Sequence, residues 1–311
     1  MDARGEARQR PRTGYRYPTG GEYAGHLRNR RKRERRDYRT RPTVTAVIPT
    51  LNEAENLPHV FNQLPDGVNE LIVVDGHSTD ETLHVTRRLR PDARIVLQDR
   101  RGKGNALACG FAAARGDIIV MVDADGSTDP TEIPNFIAPL INGADFVKGS
   151  RYIEGGGSAD ITHVRSAGNR VLGMSVNLLF GTKYTDLCYG YNAFWRRCLP
   201  HLQVNCDGFE VETVLNIRAA RAGLKVVEVP SYERDRIHGL SNLNAWRDGR
   251  RALAAIMRER FTPLPEPSDA WRPHFAELER ARIRALPARA LSAQTTQAAM
   301  RAEREVVRAL A

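Results

Sequence analysis

No apolar run in the chain approaches the roughly 18 to 20 residues that a membrane-spanning helix needs, and the N-terminus lacks the apolar core of a secretory signal. The protein is therefore expected to be cytoplasmic, touching a membrane at most at its periphery. Its four cysteines, Cys109, Cys188, Cys198 and Cys206, form no CxxC pair and no His/Cys spacing of a zinc site. That excludes a thiolate metal centre and leaves reduced, structural thiols. No Gly-rich phosphate loop follows the first strand-like segment, which argues against nucleotidyl transfer from a nucleoside triphosphate.

What is present is unevenly charged. The net charge is +10, yet residues 1–42 alone hold fourteen Arg or Lys against five Asp or Glu. Rich in Gly, Pro and Arg and nearly free of aliphatic side chains, this arm cannot bury enough apolar surface to offset its ordering entropy. It is read as a disordered basic arm, either attracted to anionic lipid or nucleic acid or simply solvated.

From Thr43 the pattern changes to apolar runs alternating with amphipathic stretches. Strands are expected at 44–49, 70–75, 93–97 and 118–122, and helices at 53–63, from Asp80, and at 103–115. Such regular alternation implies an α/β fold, a mostly parallel sheet flanked by helices. The central strand, Ile118 to Val122, ends in Asp123-Ala124-Asp125. Side chains alternate along an extended backbone, so both carboxylates face one side and can share a divalent cation. The competing reading is a polar loop capping the next helix, with Ser127 or Asp129 as cap and Pro130 in the first turn.

Open α/β sheets place ligands at the carboxyl ends of their strands. Three loops converge there: Pro49-Thr50-Leu51-Asn52-Glu53, Asp75-Gly76-His77-Ser78-Thr79-Asp80 and Arg101-Gly102-Lys103-Gly104-Asn105. An acidic side chain at a strand end can accept hydrogen bonds from a ribose or base, and a Gly-Lys-Gly loop can approach an anion.

With these motifs in order, Thr45 to about Arg260 resembles the family 2 glycosyltransferases of the GT-A fold, most of all the polyprenyl-phosphate (dolichyl-phosphate) mannosyl and glucosyl transferases. Further matching stretches are Gly149-Ser150-Arg151-Tyr152, Arg165-Ser166 with Asn169, Asp186-Leu187 with Gly190-Tyr191, Gly208-Phe209-Glu210-Val211-Glu212 and Val227-Glu228-Val229-Pro230. The resemblance implies that Pro49, Thr50, Asn52, Glu53, Asp75, Lys103, Asp123 and Ala124 surround a nucleotide sugar. It also implies that Asp123 and Asp125 hold Mg2+ or Mn2+, that Arg151, Arg165 and Arg236 face an acceptor phosphate, and that the sugar carbon inverts. The expected partners are a nucleotide-sugar donor of the UDP-glucose or GDP-mannose type and a polyprenyl phosphate, or a soluble acceptor in the alternative. The chain departs from the family pattern at Gly76-His77, Ser127, Cys188-Tyr189 and Asn242.

On this reading residues 43–261 form the GT-A domain, with a nucleotide-binding half at 43–125 and an acceptor half at 126–261; residues 262–311 form a linker and a helical tail that packs on the domain or on a second copy in a homodimer. Gly155-Gly156-Gly157-Ser158 reads as a mobile loop or a plain linker. The helix at 167–180 has an apolar side that includes Val171, Leu172, Met174, Val176 and Leu179, expected to face the core with lipid contact as the alternative, and the Arg-studded helix at 242–260 is expected to lie on anionic lipid or stay solvated. A phosphate acceptor is already anionic and needs positioning by Arg. A hydroxyl acceptor would need a base, for which Asp186 is the candidate, its alternative being to orient a neighbour. A non-catalytic nucleic-acid or scaffold protein is the competing class; the carboxylate pair and Lys103 argue against it.

Overall fold

The computed structural model describes residues 41–239, 244–269, 272–273 and 275–278. Residues 1–40 of the basic arm, Asn242 and residues 279–311 of the expected helical tail lie outside the described residues; within that tail Ala276–Glu277 is not helix but a short strand, because its backbone pairs with the sheet edge at Val96–Leu97. Every element below belongs to the unit that begins at Pro42.

Strands β1 (Val44–Thr50), β2 (Glu70–Asp75), β3 (Arg94–Leu97) and β4 (Ile118–Met121) are joined by helices α1 (Leu57–Asn62), α2 (Thr82–Leu89) and α3 (Lys103–Ala113). β1 pairs in parallel with both β2 and β4, and β2 with β3. The run from Ile118 is buried along its length because both sheet faces are covered. Alternation sorts the side chains: Val47, Ile72, Val74 and Ile119 pack with Phe111 of α3 on one face, while Ile48, Val73 and Val120 pack on the other. Each such burial contributes about 1.5–3 kcal/mol.

The second half begins with the 3-10 turn Pro130–Glu132, capped by Asp129 accepting from the Thr131 N–H, and continues in α4 (Ile133–Ile141). Strand β5 (Phe146–Ser150) and short β6 (Gly157–Ser158) precede α5 (His163–Phe180). Then follow β7 (Asn192–Trp195), α6 (Leu199–Leu202), α7 (Val211–Arg221), β8 (Val226–Pro230), short β9 (Tyr232–Glu233), α8 (Ala245–Phe261) and β10 (Ala276–Glu277). The large sheet runs β10-β3-β2-β1-β4-β7-β5-β8. β7 is antiparallel between β4 and β5, and β10 is antiparallel at the edge, so an otherwise parallel sheet is mixed.

Two further expectations change. The glycine run is partly strand, since Gly157–Ser158 pairs with Tyr232–Glu233. A Cβ on Gly156 would lie 2.4 Å from the Ser150 carbonyl, so that close approach requires glycine. Helix α5, begun where Thr162 accepts from the Arg165 N–H and ended at Gly181 with φ 68°, buries only a narrow stripe, Asn169, Gly173 and Val176. Val171 and Met174, expected in the core, are exposed, because α7 and α8 cover α5 on one side only.

Candidate active site

The site forms where β1, β2 and β4 end. Gly102, with φ 97°, starts α3, and a Cβ there would sit 2.1 Å from the Asp207 carbonyl. The glycines on either side of Lys103 thus press this helix start against the 206–207 loop, and the Gly104 N–H donates to the Asp207 carbonyl at 2.9 Å. That closeness carries the Lys103 ammonium to the carboxylates: Nζ is 2.7 Å from Asp123 and 3.0 Å from Glu212 at the start of α7. Burial works against the ammonium, but Asp123 and Glu212 raise its pKa above the ordinary lysine value.

Asp125 is held differently. One oxygen accepts from the Ser127 N–H at 3.0 Å and the Ser127 hydroxyl at 2.7 Å. The other lies 2.7 Å from Arg236, which also approaches Glu53 at 3.5 Å. Arg236 arrives on a strap, residues 234–238, tied down by Arg234 N–H to the Ser127 carbonyl, Ile237 N–H to the Asp125 carbonyl and His238 N–H to Asn56. Gly126, with φ 80°, admits Ile237, whose Cδ1 would be 2.5 Å from an added Cβ.

Two cavities share a wall made of Lys103, Asp123, Asp125 and Arg236. The smaller, about 150 Å³, is also bordered by Pro49, Thr50, Glu53, Gly76 and Ala124. The larger, about 510 Å³, runs between α5 and α8 and is bordered by Arg151, Arg165, Glu212 and apolar side chains that include Val164, Leu172, Trp246 and Leu253.

Three sequence-named residues border neither cavity. Asn52, at φ 58°, knits two loops by accepting from the Thr79 N–H at 2.7 Å. Asp75 is buried; one oxygen accepts from the Ser78 N–H at 3.0 Å, and the other has no hydrogen-bond partner. Burial raises its pKa. Asp186 is fully buried beneath the larger cavity, accepting from Arg151 Nε at 2.7 Å and Nη2 at 3.0 Å and from Asn169 at 3.0 Å. Burial raises the Asp186 pKa, but the Arg151 hydrogen bonds and charge, with Lys148 nearby, outweigh it and hold it below the usual carboxylate range. The third Arg151 nitrogen donates to Glu233 of β9 at 2.9 Å, and its guanidinium lies 4.8 Å from the Tyr189 ring centre. Arg165 pairs with Asp160 at 2.7 Å at the cavity edge.

Sequence reasoning missed the Lys103–Glu212 contact and Glu233. Glu212 carried a signal, a carboxylate in the first turn of a helix, but nothing in the sequence said which cation it meets. Oxygen donors suit Mg2+ or Mn2+. Among the described residues no cluster of three His, Cys, Asp or Glu could hold a metal; Asp123 and Asp125 are the carboxylates that border both cavities.

The family profile of glycosyl transferase family 2 matches residues 45–202. Glycosyltransferase AglJ of Haloferax volcanii is 31% identical over 231 residues, 73% of this chain and 75% of that protein. Undecaprenyl-phosphate mannosyltransferase of Micrococcus luteus is 32% identical over 199 residues, 60% of this chain and 82% of that protein. Among solved structures, glucosyl-3-phosphoglycerate synthase from Mycobacterium tuberculosis, in complex with Mn2+, UDP and glucosyl-3-phosphoglycerate, superposes with a TM-score of 0.59 at 27% identity. That match covers 71% of this chain and 81% of the synthase.

Proposed function

Because the chain belongs to glycosyl transferase family 2, we propose that it is a metal-dependent, inverting hexosyltransferase with a polyprenyl phosphate acceptor. The observation that carries this reading is the larger cavity, which is bordered both by Arg151, Arg165, Arg236 and the carboxylate pair and by apolar side chains of α5 and α8. A phosphate head on a hydrocarbon tail matches that division of polarity.

The donor nucleotide fits the smaller cavity. The buried, unpartnered oxygen of Asp75 lies beside its edge residue Gly76 and suits an N–H of a base. Asp123 and Asp125 would hold Mg2+ or Mn2+, which when bound offsets charge developing on the leaving diphosphate. Lys103 stays charged between Asp123 and Glu212 and adds a fixed positive charge at the same place. Arg236, which neutralises Asp125 in the structure, would be available to an anionic ligand if Asp125 held the cation. Arg151 and Arg165 border the acceptor side, and a phosphate nucleophile needs their orientation more than a base. Buried Asp186 acts as a positioning residue that locks Arg151.

The test is transfer of labelled hexose from UDP-glucose and GDP-mannose, with Mn2+ or Mg2+, into organic-extractable polyprenyl phosphate. Label that enters the organic phase and is lost in Asp125→Asn supports the reading. Label that stays on a water-soluble product favours the second reading, a soluble phosphorylated acceptor, which the likeness to glucosyl-3-phosphoglycerate synthase supports.

A further inference from the structure

Lys148 of β5 is fully buried, in a strand that is buried along its whole length. In the parallel register it stands opposite Glu228 of β8, and its Nζ lies 3.6 Å from that carboxylate. It donates to the Gly149 carbonyl at 3.1 Å and to the Asp186 carbonyl. Burial lowers its pKa below the ordinary lysine value, against the pull of Asp186 and Glu228. A buried ion pair is often no more stable than apolar side chains of the same volume, so stability alone does not account for this one. Its contacts do.

Both partners grip one peptide segment. Glu228 accepts from the Thr185 N–H at 3.0 Å, from the Thr185 hydroxyl at 2.9 Å and from the Asp186 N–H at 3.4 Å. Lys148 takes the Asp186 carbonyl, so the pair holds that residue at its N–H and at its C=O. The next backbone groups are held by buried amides. Asn169 of α5 accepts from the Leu187 and Cys188 N–H groups at 3.2 and 2.9 Å, and Asn216 of α7 donates to the Leu187 carbonyl at 2.9 Å. Residues 182–191 contain no helix or strand, so side chains supply the partners that a ladder would. The same run sets Cys188, Tyr189 and Gly190 on the larger cavity, and its Asp186 forks Arg151, which borders that cavity.

We propose that Lys148 and Glu228 form a positioning clamp for residues 185–190, fixing Asp186 and, through its fork, the Arg151 guanidinium at the acceptor cavity. Neither residue borders the cavity, so both act through the loop. This role rests on the transferase reading of the site for its effect on catalysis, but not for its effect on the loop.

The test compares the wild type with Lys148→Met, which keeps the length of the side chain and removes its charge, with Glu228→Gln, and with the double variant. Three measurements are made on the full chain: hydrogen exchange of the peptide spanning 184–190, UDP binding by calorimetry with Mn2+, and hexose transfer to a short-chain, water-soluble isoprenyl phosphate. Expected in each variant are loop exchange about tenfold faster, unchanged UDP binding, and kcat/KM for the acceptor lower by about thirtyfold. Because both side chains act on one peptide, the double variant should lose no more than the more damaging single variant. Wild-type acceptor kinetics in the variants overturn the clamp, whether or not loop exchange has changed. So does UDP binding that falls in step with transfer, which marks a general loss of packing. Should Lys148→Met not fold, Glu228→Gln, at a side chain 15% exposed, decides by the same measures. A wild type that labels 3-phosphoglycerate and no isoprenyl phosphate removes the proposed acceptor, and the same comparison on 3-phosphoglycerate then decides the clamp.

Discussion

Replacing Arg151 with methionine would strip two buried carboxylates of their main counter-charge. Arg151 and Asp186 have side-chain exposures of 4% and 0%, and the guanidinium bonds Asp186 through two nitrogens and Glu233 through the third. Breaking a buried pair by removing one partner costs about 3–5 kcal/mol, since the other charge stays buried. Asn169 still donates to Asp186 and Ser158 to Glu233, which places the expected loss near the lower end, about 3 kcal/mol at neutral pH. The pH dependence follows from sign. In the wild type the Asp186 pKa lies below its unfolded value of about 3.9, so its contribution is present above that pH and is lost as pH falls through the folded pKa. Without Arg151, burial dominates and raises the Asp186 pKa, so the penalty is largest at neutral pH and shrinks as acidification protonates the carboxyl. Urea denaturation of both proteins at neutral and mildly acidic pH measures the difference. A loss below about 1 kcal/mol, or one that does not change with pH, would refute the assignment of Arg151 as the buried counter-charge. Arg151→Lys should recover only part of the loss, because one ammonium cannot form the three-way fork.

Asp125→Asn should reduce hexose transfer by about a hundredfold or more while leaving the thermal melt nearly unchanged, as rates and melting curves would show. Arg236→Gln removes the internal cation from Asp125 and should tighten Mn2+ binding severalfold in a donor-free titration followed by electron paramagnetic resonance; weaker binding would contradict competition for one carboxylate. Gly104→Ala would place a Cβ 2.5 Å from the Cys206 carbonyl. The backbone must shift, so a loss of about 1–3 kcal/mol in urea denaturation is expected, together with weaker UDP binding by calorimetry as Lys103 moves.

The sequence by itself determined the elements that local rules control. Apolar runs of strand length bounded by Gly, Asp and Pro set β1 through β4, and the abrupt end of Ile118–Val122 put Asp123 and Asp125 at the carboxyl edge of the sheet. Side-chain parity and the Gly102-Lys103 helix start are likewise properties of neighbouring residues. Tertiary structure alone decided how distant segments meet. Antiparallel β7 enters between β4 and β5, and β10 closes the far edge, because pairing follows the path of the chain and leaves no local mark on Asn192–Trp195 or Ala276–Glu277. Lys103 meets Glu212, Arg236 meets Asp125 and Arg151 meets Glu233 across separations of about a hundred residues. An isolated carboxylate in a sequence does not state which cation will neutralise it. The same limit explains Val171 and Met174: periodicity showed that α5 has an apolar face, but whether that face is covered depends on how much of it α7 and α8 reach.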